Sequence, residues 1–593
     1  NGFDKKPIRF IHKAHEYDRV QAMGNLTPTS GGVWRPSLDG PLRPLGESGF
    51  DEIASWTGKL LNPKNDTYRG YRTTFDDNIK EIQFIGDLQS AVASSSRPQG
   101  DLGRRLALRG IKNQSDALTA LQDNKLILSL SPETQNELKR LALEVSRIGH
   151  ATRLQYDAEL PGGGQHVAFS NYKSQIRIEI DASSQGPAIV STMTRNQDAM
   201  RKTNIVNQGS KSRIYDSLAK NVVDKVQQET GFQLDWEKLS KLQKNNLMTA
   251  FYGSKEASRL DRISDGLAEI LGSDIVITTT SESLQSTLAS FTKAQGKLRK
   301  DLLNTDTSDA RKAILTQQIN ELEQLKADVN YSIQNGVRLE DDLLNLDLID
   351  SPEAKEVIRS LTNQHAGIIG RKQMRRIAKI LTDELTLQFP KYRSYFDQQA
   401  KLVKLYFELT NLGDPPVTFV PTVDFLGKKG SLDFTYRVTV KDKYIDTDGT
   451  LVTDEYMVSE TGVPDIRVAQ AGYPVKLVFA QDAALARQLT TEFTDADSIY
   501  DAWYLPAGQV AAARNRAREL MVQMYQSNVL EENIVAMRRQ IEISITDPKT
   551  LEKALKKWDL FTQDALTGFN IEDIDDDFIN LILDSKEWYG VSY

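Results

Sequence analysis

Two aspartates in strand-forming sequence are the residues of this chain best suited to chemistry. Asp181 follows residues 174–180, where apolar and polar residues alternate as in a half-buried strand. Asp501 lies within residues 498–503, among apolar and aromatic side chains. Burying a carboxylate without a partner is costly, and a bound cation would remove that cost. On neighbouring strands the two aspartates could hold two Mg²⁺ ions, one activating a 3′-hydroxyl and one neutralising a leaving pyrophosphate.

A lysine and a tyrosine lie between the two aspartates along the chain. On a helix, Lys244 and Tyr252 would share a face, and Gly253 would end that helix. The ammonium group suits a triphosphate and the phenol suits the edge of a sugar. Each residue alone has a plain alternative, because Asp181 could cap a turn and a core tyrosine near a lysine is commonplace. The order carboxylate, lysine, tyrosine, carboxylate is what distinguishes the set.

Composition excludes several classes of protein. The chain has 593 residues, 39% of them apolar and 26% charged, which allows roughly two to four lobes. The formal net charge is −7, so a nucleic-acid-binding groove would have to be local. The absence of cysteine excludes disulfides, thiol catalysis and cysteine-ligated metal centres. No stretch approaches the ~18 consecutive apolar residues of a membrane span, so we expect no membrane partner.

The elements that would position these residues are predominantly helical. Residues 1–75 are rich in turn formers, which predicts an extended arm. Residues 100–150 are predicted to be helical, with Ser131 as an N-cap before Pro132. Residues 210–412 have a helical pattern almost throughout.

Strand patterns return in the last third of the chain. Alternation in residues 434–440 and 451–458, on either side of an Asp-Gly turn, predicts a β-hairpin. A helix is predicted over residues 507–540, followed by an acidic, aromatic tail. The acidic residues at 573–577 are expected to be solvated surface.

Three short segments resemble motifs A, B and C of the phage-type single-subunit DNA-directed RNA polymerases. Residues 171–174 and 181–186 resemble motif A, and residues 248–256 resemble motif B almost residue for residue. Residues 500–502 resemble motif C, although their first residue is tyrosine where the family usually has histidine. The similarity extends over roughly residues 80–593.

The resemblance implies an α/β right-hand fold of palm and fingers, helix-rich, with a small antiparallel palm sheet and an inserted β-hairpin. It implies that Asp181 and Asp501 hold the Mg²⁺ ions, that Lys244 binds and protonates pyrophosphate, and that Tyr252 contacts the sugar. The implied lobes are an N-terminal arm (1–75), a first part of the palm (76–200), fingers (201–478) with a helical insertion (283–345) and a specificity-type hairpin (432–458), and a second part of the palm with the tail (479–593).

The chain departs from the family at several positions. The arginine of an upstream template-contacting motif should fall near Gln89, so Arg97 is the candidate to replace it. Ser240 and Lys241 stand where many relatives have a basic residue one turn before the motif B lysine, and we expect them to contact substrate. Phe479 replaces an expected histidine. These departures resemble the divergent branch of the N-four-like phages, which includes virion-packaged polymerases.

Gly186 indicates that the product is RNA. In the related DNA polymerases, the fifth residue after the motif A aspartate is a glutamate that would collide with a ribose 2′-hydroxyl. Gly186 occupies that position here and leaves room for the hydroxyl, near which Tyr252 could hydrogen-bond. The alternatives are a DNA polymerase of the same fold and a degenerate polymerase fold that serves a phage particle as a structural or DNA-binding protein.

Basic and aromatic residues of the predicted fingers are candidates to contact nucleic acid. A basic cluster in a predicted helix could grip template phosphates, although an exposed helix face explains it equally well. The predicted hairpin lies where relatives carry a promoter-specificity loop, and its side chains suit base stacking and phosphate contact. Together with the upstream arginine, these candidates are Arg97, Arg371, Lys372, Arg375, Arg376, Tyr436, Arg437, Lys441 and Lys443.

The resemblance also implies partners and a location. We expect rNTPs, nascent RNA and a DNA template, either single-stranded or carrying a hairpin promoter. The chain begins with asparagine, so a second phage subunit or a longer parent polypeptide could supply further functions. The protein would act in the bacterial host cytoplasm during infection or be packaged in the virion.

Overall fold

The structure is a computed structural model that describes most of the chain outside residues 252–370. Between these limits it describes scattered residues, and near the N-terminus it describes two short strands. The longer described ranges are 40–63, 68–94, 100–152, 171–182, 184–206, 214–230, 236–251, 371–413, 415–445, 451–499, 502–585 and 589–591. Within them, the description does not extend to the side chains of residues 230, 248–249, 251, 371–375, 437–445, 451–461, 498–499 and 589–591.

The described chain is rich in helices and has small antiparallel sheets, which is compatible with the predicted α/β class. The helices are α1 (Gly46–Leu61), α2 (Tyr68–Ala93), α3 (Gly100–Leu108), α4 (Gln114–Gln122), α5 (Lys125–Leu128), α6 (Pro132–Thr152), α7 (Gln185–Met193), α8 (Gln197–Lys202), α9 (Ile214–Lys220), α10 (Val223–Thr230), α11 (Trp236–Phe251), α12 (Arg371–Gln388), α13 (Pro390–Thr410), α14 (Ile466–Glu492), α15 (Val510–Gln526), α16 (Val529–Ser544), α17 (Pro548–Phe569) and α18 (Asp576–Asp584). The strands are β1 (Ile11–Ala14), β2 (Val20–Met23), β3 (Arg43–Pro44), β4 (Lys173–Ser174), β5 (Arg177–Ala182), β6 (Phe419–Val423), β7 (Lys429–Asp433), β8 (Thr435–Ile445), β9 (Leu451–Pro464), β10 (Asp497–Ile499), β11 (Ala502–Pro506) and β12 (Tyr589–Val591).

One four-stranded sheet, which we call the central sheet, gathers strands from distant parts of the chain. Its order is β10-β11-β5-β12, and each neighbouring pair is antiparallel. The other described strands pair two by two, as β1–β2, β3–β4, β6–β7 and β8–β9. Strand β5 therefore has partners on both edges, and both come from much later in the sequence.

The extended arm predicted for residues 1–75 is wrong for residues 46–61, which form α1, and for residues 68–75, which begin α2. Helix α1 buries Phe50, Ile53 and Leu60, whose spacing matches one face of a helix. The turn formers before it obscured that short pattern. Gly58 lets α1 cross α2 closely, because a Cβ there would lie 1.9 Å from the carbonyl oxygen of Tyr71.

The helical prediction for residues 100–150 is confirmed by α3, α4, α5 and α6. Ser131 caps α6 as predicted, since its Oγ accepts a hydrogen bond from the Thr134 amide at 3.3 Å. Helix α2 lies directly against α6, where a Cβ on Gly86 would come within 2.1 Å of the Ala142 carbonyl oxygen. Helix α6 in turn contacts β4 and β5, through the Ser174–Glu144 and Arg140–Arg177 hydrogen bonds.

Helices α9 to α12 pack around a second buried cluster, separate from the main core. Helix α11 joins the two, because Leu239 and Leu242 belong to the second cluster while Leu247 and Ala250 belong to the main core. The helical pattern predicted from residue 210 is confirmed in these helices and in α13. In the predicted insertion, Gln295 Nε2 lies 2.9 Å from a carboxylate oxygen of Glu323, so two of its described stretches lie side by side.

The predicted β-hairpin is confirmed and is longer than expected. Strands β8 and β9 span 435–464 rather than 432–458, and Ile445 pairs with Leu451 at the described end nearest the turn. The register shifts between Val438 and Thr439, which marks a bulge or an irregularity. Strand β9 leads into α14, which contains the predicted boundary between residues 478 and 479.

The single helix predicted over residues 507–540 is wrong, because α15 and α16 are separate helices. Arg195 contacts the break between them, donating to the carbonyl oxygens of Tyr525 and Ser527 at 2.9 Å each and to Asn528 Oδ1 at 3.0 Å. A buried helix end needs such partners for its last carbonyl groups. The arginine lies more than 300 residues away in sequence, so no local pattern reveals the break.

The predicted acidic tail contains ordered elements. Asp575 is the N-cap of α18 and accepts hydrogen bonds from the amides of Asp577 and Phe578. The bond from the Phe578 amide is the main reason that the pKa of Asp575 is lowered. Across the described residues, no helix is long and apolar enough to cross a membrane.

Candidate active site

Strand β5 carries Asp181 next to its C-terminal end. The four residues before Asp181 are buried, whereas Asp181 is partly exposed. The half-buried strand predicted from alternation is wrong, because the polar face of β5 is covered as well. Arg140 of α6 donates to the Arg177 carbonyl oxygen at 3.3 Å, and the Arg177 guanidinium lies over the Tyr504 ring at 4.6 Å.

The charged residue at the start of β5, Arg177, has its partners within the protein. The Arg177 guanidinium lies 2.5 Å from the Asp497 carboxylate and donates to the carbonyl oxygens of Asp495 and Tyr504 at 2.9 and 2.7 Å. Burial raises the pKa of Tyr504 to about 12, despite the opposing effect of nearby arginines. The tyrosine therefore stays neutral, and Arg177 serves to join β5, β10 and β11.

Strand β11 brings the predicted motif C segment beside the predicted motif A strand. Ala502 pairs with Asp181, Trp503 with Ile180 and Tyr504 with Glu179. Asp501 precedes Ala502 in sequence and lies outside the described residues, as does Tyr500. The register thus joins two segments that are more than 300 residues apart.

Strand β12 lies on the other edge of β5, which the sequence pattern did not predict. Gly590 pairs with Asp181, between the pairs Tyr589–Ala182 and Val591–Ile180. The strand has three residues, too few for alternation to be recognised. Asp181 is thereby flanked by strands on both sides.

The turn that leaves β5 is held by side chains from two other helices. Ser184 has a left-handed backbone, with φ 60° and ψ 56°. Its hydroxyl donates to the Tyr215 hydroxyl at 3.3 Å, and Gln185 Nε2 donates to Asp482 Oδ1 at 2.9 Å. Gly186 follows in the first turn of α7 and is buried. Sequence reasoning missed these partners, because no local pattern relates residues so far apart.

Helix α11 carries the predicted phosphate-binding lysines on its exposed face. Lys241 and Lys244 are both exposed, one turn apart. Ser240 differs, because its hydroxyl is part-buried and donates to the Asp216 carboxylate of α9. Tyr252, which follows the end of α11, lies outside the described residues.

Of the predicted nucleic-acid-binding residues outside the hairpin, which are Arg97 and the basic cluster, the structure describes only some. Arg97 lies outside the described residues, and the side chains of Arg371, Lys372 and Arg375 are outside the description. Arg376 is exposed and forms an ion pair with Glu229 of α10. This pair joins α12 to α10 and accounts structurally for one member of the cluster.

The hairpin candidates stand on strand β8. Tyr436 is 49% exposed, which leaves its ring accessible for stacking. The side chains of its basic residues are outside the description, but the register gives their positions. It sets Arg437 opposite Glu460, Lys441 opposite Glu455 and Lys443 opposite Thr453.

Carboxylate oxygens are the ligands that Mg²⁺ prefers, and Asp181 offers one such group at an accessible strand end. Among the described residues, no group of three or more histidines, aspartates or glutamates is arranged to hold a metal ion. The second predicted ligand, Asp501, is not among them. The donor chemistry of Asp181 therefore fits Mg²⁺.

Comparison with models of known protein families finds no matching family, and comparison with curated proteins finds none that matches. Function must therefore be inferred from the residues of the chain and their contacts. The features that bear on it are the Asp181 strand end, the motif C segment beside it and the lysines of α11.

Proposed function

We propose that this protein is a DNA-directed RNA polymerase that joins ribonucleotides by two-metal nucleotidyl transfer. The observation that supports the proposal most is the pairing of Ala502 with Asp181 in the central sheet. Asp501, the carboxylate predicted independently from its sequence setting, directly precedes Ala502 in the sequence.

The two aspartates are the proposed metal ligands. Asp181 is partly exposed next to the end of a buried strand. Asp181 and Asp501 would hold the Mg²⁺ ions through carboxylate oxygens. When bound, these ions would supply activation of the attacking 3′-hydroxyl and stabilisation of charge on the leaving pyrophosphate.

The lysines of α11 are the proposed triphosphate contacts. Lys241 and Lys244 are exposed on a helix whose C-terminal half belongs to the same core as α7 and β5. An ammonium group stabilises negative charge on a phosphate, and Lys244 could also donate a proton to the departing pyrophosphate. Ser240 instead positions α11 against α9 through Asp216.

The choice of RNA rests on Gly186. This residue lies in the first turn of α7, just beyond the strand that carries Asp181. A residue without a side chain there leaves space beside the 2′-carbon of an incoming nucleotide. We propose that the partners are rNTPs, nascent RNA and a DNA template, in the host cytoplasm during infection or in the virion.

The test is incorporation of labelled UMP by the purified chain on a DNA template, with rNTPs and dNTPs compared on the same primer. We expect incorporation that depends on Mg²⁺ and template and prefers rNTPs. Preference for dNTPs would instead favour a DNA polymerase, and no incorporation would favour the degenerate polymerase fold.

Two substitutions give this test a matched control. D501N should abolish incorporation, because a neutral amide is a poor ligand for a hard cation. D495N should retain it, since the Asp495 carboxylate already pairs with Arg43 at 2.6 Å and the Asp495 carbonyl contacts Arg177, at the opposite end of β5 from Asp181. Equal activity in the two variants would contradict the assignment of Asp501.

A further inference from the structure

The turn between β5 and α7 is anchored at two consecutive residues. Ser184 Oγ donates to the Tyr215 hydroxyl of α9, and Gln185 Nε2 donates to the Asp482 carboxylate of α14. The two anchors belong to different helices. Gly186 is the next residue and has no side chain to make such contacts itself. Its position therefore depends on the contacts of Ser184 and Gln185.

The Gln185–Asp482 contact is the stronger of the two anchors. Both residues are 3% exposed, and the donor–acceptor distance is 2.9 Å. A hydrogen bond to a buried carboxylate is stronger than one between neutral groups. The turn therefore resists displacement from α14.

Backbone conformation at Ser184 indicates that the turn needs such anchors. A non-glycine residue at φ 60° is unfavourable by about 1 kcal/mol or more and persists only when its surroundings hold it in place. Released from its anchors, the turn would relax toward a more favourable backbone. The first residues of α7 would move with it.

We propose that Gln185 and Asp482 are positioning residues for sugar selection, holding Gly186 at a fixed place beside the incoming ribose. This inference rests on the proposed function and adds two residues to it, Gln185 within the motif that first indicated RNA and Asp482 outside it. Neither needs to touch substrate, because each acts through the first turn of α7.

Tyr215 is the second, weaker anchor. Its contact with Ser184 is longer, at 3.3 Å, and part-buried. The next residue, Asp216, accepts the hydrogen bond from Ser240 of α11, one turn before Lys244. Helix α9 thus connects the turn that carries Gly186 to the helix that carries the proposed triphosphate contact.

The test compares kcat/KM for UTP and dUTP in the full chain and its variants. Q185L and D482A remove the anchor, and we expect the preference for UTP to fall about tenfold, since a displacement of about 1 Å near reacting groups can change rates about a hundredfold. D482N keeps an oxygen acceptor for Gln185 and should retain most of the preference. Y215F should lower it by about two- to threefold.

S146A is the matched control. It deletes a buried hydrogen bond to Asp87 that joins α6 to α2, distant in sequence from the turn. We expect a lower melting temperature and an unchanged ratio of UTP to dUTP. If Q185L and D482A behave like S146A, the two residues are merely structural and the inference is overturned.

Failure of the inference is distinguishable from failure of the proposed function. If the unsubstituted chain incorporates no nucleotide, the proposed function fails before any variant is compared. If the chain is active and D482A does not fold, Q185L and Y215F decide the matter. An unchanged sugar preference in both variants would overturn the inference.

Discussion

The two ends of strand β5 hold their charges in opposite ways. At the start of the strand, Arg177 is buried and bonded to Asp497 and to two backbone carbonyl groups. Near its other end, Asp181 is partly exposed before the turn into α7. A buried charge that is matched by partners ties neighbouring strands together, whereas an accessible carboxylate can be reached by a cation. One strand thus combines a structural end with the end at which we propose that metal binds.

The largest effect on activity is expected at the proposed metal-binding end. D181N should lower nucleotide incorporation on the order of a thousandfold or more, because it removes a proposed metal ligand. Its free energy of unfolding should change by less than about 1 kcal/mol, since the side chain is near solvent. Single-turnover incorporation and urea unfolding measure the two quantities. Substantial activity in D181N would erase the contrast between the two ends.

The structural end should respond in the opposite sense. R177A leaves the Asp497 carboxylate buried without its cation, which should lower the free energy of unfolding by about 3–5 kcal/mol. The double variant R177M/D497L removes both charges, so its free energy of unfolding should fall by less than that of R177A. Urea denaturation compares the two. If the double variant is as unstable as R177A, the unpaired charge is not the cause.

Arg195 extends the comparison to a cation held mainly by backbone oxygens. R195A should cost about 2–3 kcal/mol, because it removes the donors that close the break between α15 and α16. R195G should be less destabilising than R195A by about 1 kcal/mol, since this residue has φ 51°. Urea unfolding of both variants tests this, and the reverse order would contradict the backbone argument.

The smallest effect is expected from a pair near solvent. The hydrogen bond from Arg516 lowers the pKa of Glu492, so the pair stabilises the protein above the unfolded pKa of about 4.3. That stability is lost as the pH falls through the lowered folded pKa. E492Q should therefore be less stable at pH 7 by at most about 1 kcal/mol. The melting temperatures of E492Q and the unsubstituted protein should converge as the pH falls from 7 to 3. A constant difference between them would contradict this role of the Glu492–Arg516 pair.

Local patterns predicted much of the fold from the sequence. Alternation identified β5 and the hairpin of β8 and β9, and the N-cap at Ser131 was recognised from residue type and the following proline. These signals succeed because each is decided by neighbours within a few residues. Helix α1 was missed because its short apolar pattern follows a long run of turn formers.

The candidate site could be predicted only in part, for a physical reason. Residue types marked Asp181 and Lys244 as candidates, but the strands that flank Asp181 come from distant segments. The pairing of Gly590 with Asp181 and the bond from Gln185 to Asp482 each join residues about 300 or more apart. The burial of the polar face of β5 could not be predicted for the same reason, since it depends on which residues pack against the strand.

The order of strands in the central sheet has a consequence for synthesis on the ribosome. Strand β5 ends at residue 182, but its neighbours begin at residues 502 and 589. At about 10 residues per second, β5 waits on the order of half a minute for its first partner and longer for its second. Until then both its edges lack their final pairing, so nascent chains are most exposed to aggregation or chaperone binding during that interval.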